Sequence, residues 1–445
     1  MKKRAILAAL VLATGIFHSH SAVAGLAIQQ WRLPSGAQVL LAESHAIPMV
    51  DVQIDFDAGS RRDPAAQAGL AAVTAGMTDK GIRATGAEPA LDENSLGEAW
   101  ADLGASFSGS ASGDRLGFSL RSLSDPALLA RAAQLAARQM GEPAFPEAVW
   151  QRERERMVAA LKEADTRPAT LAGRAFNQAV YGNHPYGQQT TALTLAAIAV
   201  DDLRAFHARH LVACRAQVSM VGALTRAQAE VLASSLLARL GSGACAPLPP
   251  VADVAPLAGP VERAIPFESA QAHVYIGQPG VARSDPDYFT LFVGNYVLGG
   301  GGFVSRLTTE VREKRGLSYS VSSYFMPGLH AGAFILGLQT RPDQAAEAVR
   351  VSREVVARFV AEGPTEAELQ AAKDNLIGGF ALRIDSNRKL LDNIANIGLH
   401  QLPLDYLDTW TQQVDKVTVA EVRAAFQRKL QPGAMATVVV GGVLP

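Results

Sequence analysis

The chain has 445 residues, of which 48% are hydrophobic, 6% aromatic and 19% charged. It therefore has enough apolar material for two or more hydrophobic cores, and this composition excludes a disordered or fibrous protein. The 41 Lys and Arg residues nearly balance the 42 Asp and Glu residues, which gives a formal net charge of −1. Because there is no overall positive field, the sequence predicts neither nucleic acid nor an anionic lipid surface as a partner.

Residues 1–24 have the pattern of a secretory signal peptide. Three basic residues at 2–4 precede an apolar run at 5–16, and Ala22-Val23-Ala24 provides the small residues that a signal peptidase recognises. The apolar run is too short to span roughly 30 Å of hydrocarbon, and no later segment offers about 20 uninterrupted apolar residues. We therefore expect export to a bacterial periplasm, with a mature chain that starts at Gly25 and has no membrane span. An uncleaved N-terminal anchor is the alternative.

The chain has two cysteines, Cys214 and Cys245. In an oxidising compartment they could form a disulfide, although a chain of this length does not depend on one for its stability. Their separation in the sequence leaves open whether the two side chains face each other.

An internal repeat is the most informative pattern in the sequence. VDDLRAFHARHL at 200–211 resembles VAEVRAAFQRKL at 419–430, which sets an offset of 219 residues. The same offset aligns two amphipathic helices that start at Glu147 and Glu366. Nearer the start of each half, the strand containing Val52 aligns with the strand containing Val274 at an offset of 222. The chain therefore consists of two homologous halves.

Both halves predict the same order of elements: a strand, a turn with Asp-Pro, a helix, a hairpin, long helices and a closing strand. A period this long excludes a solenoid, whose repeats run from roughly 20 to 50 residues. The predicted fold class is α+β, with two duplicated domains that each contain a largely antiparallel sheet packed with helices. The predicted domains are 25–245 and 261–445. The Pro- and Ala-rich segment 246–260 is the predicted linker, and its prolines favour an extended and stiff conformation.

The segment 69–81 reads GLAAVTAGMTDKG and follows Gly59-Ser60-Arg61. In this order it resembles the pitrilysin/insulinase family of zinc peptidases, whose first domain has a Gly-Ser-Arg turn and then a helix reading roughly G-L-A-H-F-L-E-H-M before Lys-Gly. Gly69-Leu70-Ala71, Met77 and Lys80-Gly81 keep that frame. The resemblance covers nearly all of the mature chain and implies that it forms half of a clam-like chamber.

The zinc-binding residues of that family are missing. In H-x-x-E-H, two histidines four residues apart on one helical face hold Zn²⁺, and the Glu takes a proton from the metal-bound water. Ala72, Ala75 and Gly76 occupy these positions, and none of them can bind a metal or carry a proton. The family's third ligand maps to Glu153, which the three arginines within 152–156 predict to lie on a solvated, salt-bridged helix face. We expect this chain to bind no cofactor, and zinc to be bound by a partner subunit.

A second possible metal site is also disfavoured. His207 and His210 are followed by Cys214, a spacing that superficially resembles a ligand set, but the repeat aligns the two histidines with Phe426 and Lys429. Positions that differ in this way between the halves are typical of an ordinary helix surface. The chain also lacks the G-x-S-x-G motif of the α/β-hydrolases.

The segment VLGGGGFVSRLTTEVREKRGLSYSV at 297–321 is the most family-specific part of the second half. The resemblance implies that Arg312 and Tyr319, seven residues apart, face a zinc site in another chain. A guanidinium can donate to a peptide carbonyl, and a phenol can donate to the oxyanion that forms when water attacks. It also implies substrate-binding residues in the glycine-rich loop: Gly299, Gly300, Gly301 and Gly302. The alternatives are an ordinary loop, and an Arg312 that pairs with Glu310 or Glu313 on its own helix.

These residues lead to one main prediction and one alternative. The main prediction is the zinc-free subunit of a periplasmic heterodimeric metallopeptidase, inactive alone. A homologous H-x-x-E-H subunit would bind zinc, and this chain would supply Arg312 and Tyr319 in trans for the cleavage of peptides or unfolded polypeptides. The alternative is a catalytically dead paralogue that acts as a structural or peptide-binding protein. An active peptidase with unusual ligands is disfavoured because the general base is missing.

The Ser- and Gly-rich hairpin at 106–112 is a candidate for the edge of the first sheet. Relatives add a peptide to such an edge as an extra strand, but the hairpin could equally be an edge without a ligand.

Overall fold

The structure is a computed structural model that describes residues 27–241 and 245–445. The predicted signal peptide and Gly25 lie outside the described residues. Two large sheets, one formed mainly from each half of the chain, are packed with helices. The predicted α+β fold with two duplicated units is therefore confirmed.

The first half alternates strands and helices around one six-stranded sheet and a two-stranded ribbon. Its strands are β1 (Ile28–Arg32), β2 (Gln38–Glu43), β3 (Met49–Phe56), β4 (Gly81–Ile82), β5 (Leu91–Asp92), β6 (Ser106–Ala111), β7 (Leu116–Leu123) and β8 (Gln217–Gly222). Its helices are α1 (Leu70–Met77), α2 (Glu93–Asp102), α3 (Pro126–Gly141), α4 (Glu147–Ala164), α5 (Pro168–Tyr181), α6 (Ala192–Ala196), α7 (Val200–His210) and α8 (Arg226–Leu237).

The second half repeats this plan around a five-stranded sheet. Its strands are β9 (Val261–Ile265), β10 (Ala272–Pro279), β11 (Val321–Phe325), β12 (Ala333–Thr340) and β13 (Ala436–Val440). Its helices are α9 (Tyr288–Asn295), α10 (Ala345–Glu362), α11 (Glu366–Gly378), α12 (Asn387–Leu399), α13 (Tyr406–Lys416) and α14 (Val419–Lys429). Two segments are π-helical: Tyr296–Gly300, which includes the first two glycines of the glycine-rich loop, and Thr308–Glu313, which follows the loop.

The two sheets have equivalent strand orders, β1-β2-β8-β3-β7-β6 and β9-β13-β10-β12-β11. In the first half, β2 pairs with the closing strand β8 in parallel, and in the second half β9 pairs with the closing strand β13 in parallel. Strands β3 and β10 are each antiparallel to both of their neighbours. Val52 of β3 lies opposite Met220 of β8, and the repeat-related Val274 of β10 lies opposite Val439 of β13. The repeat therefore holds at the level of single residues. Strands β6 and β11 form equivalent sheet edges, so the hairpin at 106–112 does lie at an edge.

Helices α5 and α12 are exchanged between the halves. They are related by the repeat offset, yet α5 of the first half packs against β10 and β13, and α12 of the second half packs against β3 and β8. Phe176 of α5 is buried with Val438, and Ile394 of α12 is buried with Leu40 and Val221. The amphipathic pattern predicts that each helix buries one face, but it does not indicate which sheet covers that face. Each half thus completes the core of the other.

The segment 246–260 contains no helix or strand and contacts both halves. From the first half, the Arg62 guanidinium donates to the carbonyl of Pro249, and Nε2 of His184 lies 2.9 Å from the carbonyl oxygen of Ala252. From the second half, His330 Nδ1 lies 3.0 Å from a carboxylate oxygen of Asp253. Side chains from both halves therefore hold the segment at residues 249–253.

Cys214 and Cys245 form a disulfide, with their Cα atoms 6.1 Å apart. The bond joins the turn between α7 and β8 to the residue that directly precedes the connecting segment, and it answers the question that the sequence spacing leaves open. None of the helices in residues 27–241 and 245–445 combines the length and the apolar character that a membrane crossing needs.

Candidate functional site

Helix α1 starts in the conformation that its sequence frame requires. Gly69 has a φ of 109°, a left-handed conformation that glycine adopts without a steric penalty. The carboxylate of Asp63 then accepts hydrogen bonds from the backbone N–H groups of Gly69 at 2.8 Å and Ala71 at 2.9 Å. Burial raises the pKa of Asp63 to about 6, against the lowering effect of these hydrogen bonds. The backbone frame of the family motif is therefore intact.

The three positions that would carry the metal ligands and the base have no polar side chain. Ala72 and Gly76 are exposed on one face of α1, and Ala75 is buried. Within residues 27–241 and 245–445, no group of three or more His, Cys, Asp or Glu side chains could hold a metal ion. The donor set at α1 does not fit zinc, because methyl groups and a bare Cα provide no lone pair.

Glu153, which maps to the third ligand, is held by arginines. Its carboxylate lies 2.8 Å from Nε of Arg156 and 3.3 Å from Nη2 of Arg152. The prediction of a salt-bridged helix face is correct, but the prediction that Glu153 is solvated is wrong, since the residue is only 9% exposed. Burial acts to raise the pKa of Glu153, but Arg156, Lys80 and Arg152 outweigh it and keep the pKa below its ordinary value.

These ion pairs continue into the turn that follows α1. Glu93, at the start of α2, accepts from Nζ of Lys80 at 2.7 Å and from Nη2 of Arg152 at 2.7 Å. The hydrogen bond from Lys80, followed by that from Arg152, lowers the pKa of Glu93. Lys80, Glu93, Arg152, Glu153 and Arg156 thus form one chain of alternating charges, which we call the Glu153 cluster. It connects the end of the α1 region to α2 and α4.

The second possible metal site does not assemble. Nε2 of His207 lies 2.7 Å from the carbonyl oxygen of Met140, and His210 is buried against the ring of Phe206, with the ring centroids 4.4 Å apart. Burial lowers the pKa of both histidines, that of His210 to about 4. Cys214 is part of the disulfide and cannot act as a thiolate ligand.

The glycine-rich loop follows α9 and packs closely against β11. A Cβ atom on Gly299 would lie 2.6 Å from the backbone nitrogen of Ser323, and one on Gly301 would lie 2.7 Å from the carbonyl oxygen of Tyr296. Gly299 is buried by this contact, whereas Gly300 and Gly302 are exposed. Of the four glycines that the resemblance assigns to substrate binding, Gly299 therefore has a packing role, and Gly300 and Gly302 present the accessible backbone.

The structure brings Arg312 and Tyr319 together. The guanidinium carbon of Arg312 lies 4.9 Å from the ring centroid of Tyr319 and 4.7 Å from that of Phe303. Phe303 and Tyr319 are 69% and 81% exposed. Phe303 is not among the predicted site residues, although a bulky apolar residue directly after four glycines in a predicted loop is a signal that could have identified it.

Neither of the two alternative partners of Arg312, Glu310 and Glu313, forms an ion pair with it. Glu310 instead forms ion pairs with Lys314 at 2.7 Å and Arg315 at 2.7 Å. No carboxylate among the described residues forms an ion pair with Arg312. A guanidinium held between two aromatic faces keeps its N–H edge available, so this arrangement can donate hydrogen bonds to carbonyl oxygens of a ligand. We call Phe303, Arg312 and Tyr319 the Arg312 stack.

Comparison with known proteins identifies the same family in both halves. Residues 38–192 match the family model described as insulinase (peptidase family M16), and residues 197–376 match the one described as the peptidase M16 inactive domain. A solved structure from Pseudomonas fluorescens, described as a peptidase M16 inactive domain, is 34% identical with a TM-score of 0.87. The match covers 94% of this chain and 98% of that one.

Curated relatives carry two different descriptions. An uncharacterized zinc protease of Mycobacterium leprae is 29% identical over 61% of this chain and 62% of its own length. The chain thus spans about three-fifths of the length of that relative and of similar zinc proteases. A non-peptidase homolog of Helicobacter pylori, YmxG, is 26% identical over 93% of both chains. Together with the structural match, these findings show that the chain belongs to the insulinase (M16) peptidase family, as an inactive-type member.

Proposed function

We propose that this chain is the zinc-free subunit of a heterodimeric metallopeptidase. In this proposal a homologous H-x-x-E-H subunit binds zinc and activates water. The Arg312 stack supplies, in trans, a guanidinium that holds a substrate carbonyl and a phenol that donates to the oxyanion. One observation carries the proposal: Arg312 and Tyr319 lie in contact on an exposed surface, without a carboxylate partner in the described chain, while the α1 site has no ligands.

We further propose that the complex acts on peptides or unfolded polypeptides in a bacterial periplasm. The support is the signal-like pattern of residues 1–24 and the Cys214–Cys245 disulfide, since structural disulfides persist in oxidising compartments.

The first test is a native pull-down of the mature chain from the periplasm of its own organism, with bound proteins identified by mass spectrometry and zinc measured in the complex. Recovery of an equal amount of an H-x-x-E-H homologue, with about one zinc per pair, supports the proposal. Recovery of the chain alone and free of zinc favours the alternative, a dead paralogue with a structural or peptide-binding role.

The second test is a mixing assay with that partner and an unfolded polypeptide substrate. Arg312→Ala and Tyr319→Phe should each lower kcat/KM. Arg383→Ala is a matched control, because Arg383 also lies against two aromatic rings, those of Phe292 and Trp410, at 5.7 and 5.3 Å. Unchanged activity in both site variants would exclude the role in trans.

A further inference from the structure

We propose that the cleft between the two halves binds an uncharged stretch of polypeptide that carries a bulky apolar side chain. The inference rests on the proposed function in one respect, since it takes this polypeptide to be the peptidase substrate. The cleft has a volume of about 560 Å³, within the range of roughly 300 to 1,000 Å³ that is typical of ligand sites.

Aromatic side chains form the walls of the cleft. Phe176 and Tyr181 of the exchanged helix α5 line one side, and Tyr275 of β10 and Tyr324 of β11 line another. The ring centroids of Phe176 and Tyr275 are 5.6 Å apart. At the mouth, Met326 is 54% exposed, and its unbranched thioether can adapt to different side chains. These walls favour an apolar or aromatic side chain.

Two phenol groups in the cleft are available to a peptide backbone. Neither hydroxyl, that of Tyr275 or that of Tyr324, forms a hydrogen bond within the described chain. Tyr186 differs, because its hydroxyl donates to Asp114 at 2.6 Å and accepts from the N–H of His330 at 3.2 Å. A phenol can both donate and accept, so the first two tyrosines can bind a peptide carbonyl or N–H.

The cleft has no unpaired charge to offer. Asp114 is the charged residue among those that line it, and its carboxylate lies 3.1 Å from Nε of Arg61. The same carboxylate accepts from the hydroxyl of Tyr186 and, at 2.9 Å, from the N–H of Leu329. A charged ligand residue would lose its hydration here without gaining a partner. The cleft therefore selects an uncharged segment.

The cleft lies where a bound polypeptide that is extended along one of the two sheet edges would end. Ser112 and Gly113, which line it, directly follow edge strand β6, and Met326 and Pro327 directly follow edge strand β11. A polypeptide lying along either sheet edge would continue into the cleft.

The cleft is also held in shape by contacts between the halves. The backbone N–H of Leu329 donates to Asp114 and that of His330 donates to the hydroxyl of Tyr186, so the turn after β11 is bonded to two side chains of the first half. Gly328 permits this approach, because a Cβ there would lie 2.6 Å from the Tyr186 hydroxyl. A preformed site loses less entropy on binding than a mobile one.

The test measures binding to the full mature chain without any partner subunit. The probe is an end-blocked, fluorescently labelled decapeptide with one phenylalanine and no charged residue, observed by fluorescence anisotropy. Two matched peptides replace that phenylalanine with serine or aspartate. We expect both to bind at least about tenfold more weakly, as the loss of one buried aromatic side chain implies.

A blocking variant locates the site. Gly173 lines the cleft on α5, and a Cβ there would have no atom within 4 Å, so the backbone tolerates a side chain at this position and Gly173→Leu places four extra carbons at the cleft. Gly97→Leu on α2 is the matched control, because a Cβ there also meets nothing within 4 Å and Gly97 does not line the cleft. Gly173→Leu should raise Kd about tenfold, and Gly97→Leu should leave it unchanged. Tyr324→Ala should also weaken binding.

The possible outcomes separate this inference from the proposed function. Wild-type binding that shows no preference for phenylalanine, no detectable binding, or a Gly173→Leu variant that binds like wild type would each overturn the cleft as a binding site. Phenylalanine-dependent binding that Gly173→Leu weakens supports the cleft, even if no H-x-x-E-H partner is recovered and the proposed function fails. An active heterodimer with an unaffected Gly173→Leu variant would retain the function and exclude the cleft.

Discussion

The Glu153 cluster of the first half and the Arg312 stack of the second half differ in how their charged side chains are paired. In the first, every cation contacts a carboxylate, and Glu153 is buried beneath them. In the second, Arg312 lies between two exposed aromatic rings and has no carboxylate partner in the described chain. A charge network that is complete within the chain stabilises the fold, whereas a cation without a charged partner remains available to a ligand. The two halves thus share one plan of elements but differ in how their charged side chains are paired: the charges are paired within the chain in the first half, and Arg312 has no carboxylate partner in the described second half.

The largest expected effect is on activity, and it distinguishes Arg312 of the Arg312 stack from Arg156 of the Glu153 cluster. Arg312→Ala should lower kcat/KM of the reconstituted heterodimer about 100-fold, the effect of removing one donor from a developing oxyanion or substrate carbonyl. Because the aromatic rings that contact Arg312 are exposed, the free energy of unfolding of the Arg312→Ala variant should differ from that of the wild type by less than about 0.5 kcal/mol.

Arg156→Ala should show the reverse pattern. Activity should stay near that of wild type, and stability should fall by up to about 1 kcal/mol, as expected for a largely exposed arginine. Steady-state kinetics and urea unfolding on the same preparations measure both. The comparison fails if Arg156→Ala lowers activity as much as Arg312→Ala does.

Two glycines allow a second comparison, since each lets a helix approach an edge strand. In the first half the glycine is on the strand, where a Cβ on Gly109 would lie 2.9 Å from the carbonyl oxygen of Ala75 in α1. In the second half Gly299 follows α9, and its Cβ would lie 2.6 Å from the backbone nitrogen of Ser323 in β11. Gly109→Ala and Gly299→Ala should each destabilise the chain by about 1 to 3 kcal/mol through overpacking. Chemical unfolding measures this, with Gly97→Ala as a control at an open position. Wild-type stability in either variant would show that the contact can relax.

A zinc-binding variant tests whether the Glu153 cluster has replaced the metal site. Ala72→His with Gly76→His restores two ligands on the exposed face of α1, where a Cβ on Gly76 meets nothing within 4 Å. Two histidines alone should bind zinc weakly, because Glu153 is engaged by arginines. Adding Arg152→Ala and Arg156→Ala, which removes both arginines that contact Glu153, should free its carboxylate and strengthen zinc binding about tenfold, the lower end of the effect of ligand-orienting groups. Competition with a chromogenic chelator measures this affinity, and an unchanged value would show that Glu153 does not reach the metal position.

Much of the fold could be predicted from the sequence, because in a duplicated chain two separate segments predict each helix and strand. The offset between Val200 and Val419 predicts matching helices, and these start at the two predicted residues. The exchange of α5 and α12 could not be predicted in this way. A helix with one apolar face is equally compatible with either of two similar sheets, and only the three-dimensional packing decides between them.

The site was predictable where spacing determines geometry and not where burial does. Arg312 and Tyr319 were identified from their positions in a family frame, and they do lie in contact. Glu153 was expected in solvent because the charges around it predict a polar surface, but long arginine side chains can cover a carboxylate. The cleft lined by Phe176 and Tyr275 left no sequence signal, since its walls come from different halves of the chain.

The smallest expected effect concerns the pH dependence of Glu153. Its pKa in the folded chain lies below the ordinary value of 4.5, so the ionised carboxylate stabilises the folded state. This contribution is fully present above the pKa of the unfolded chain and is lost as the pH falls through the folded value. Glu153→Gln should therefore lower the unfolding free energy by about 1 kcal/mol at pH 7, and the difference from wild type should shrink as the pH falls below the ordinary pKa of 4.5 and through the lower pKa of the folded chain. Glu155→Gln on the same helix is the control, because Glu155 is exposed and forms no ion pair among the described residues. If the two variants have the same pH profile, the Glu153 cluster does not stabilise the first half, and the contrast with the Arg312 stack then rests on geometry alone.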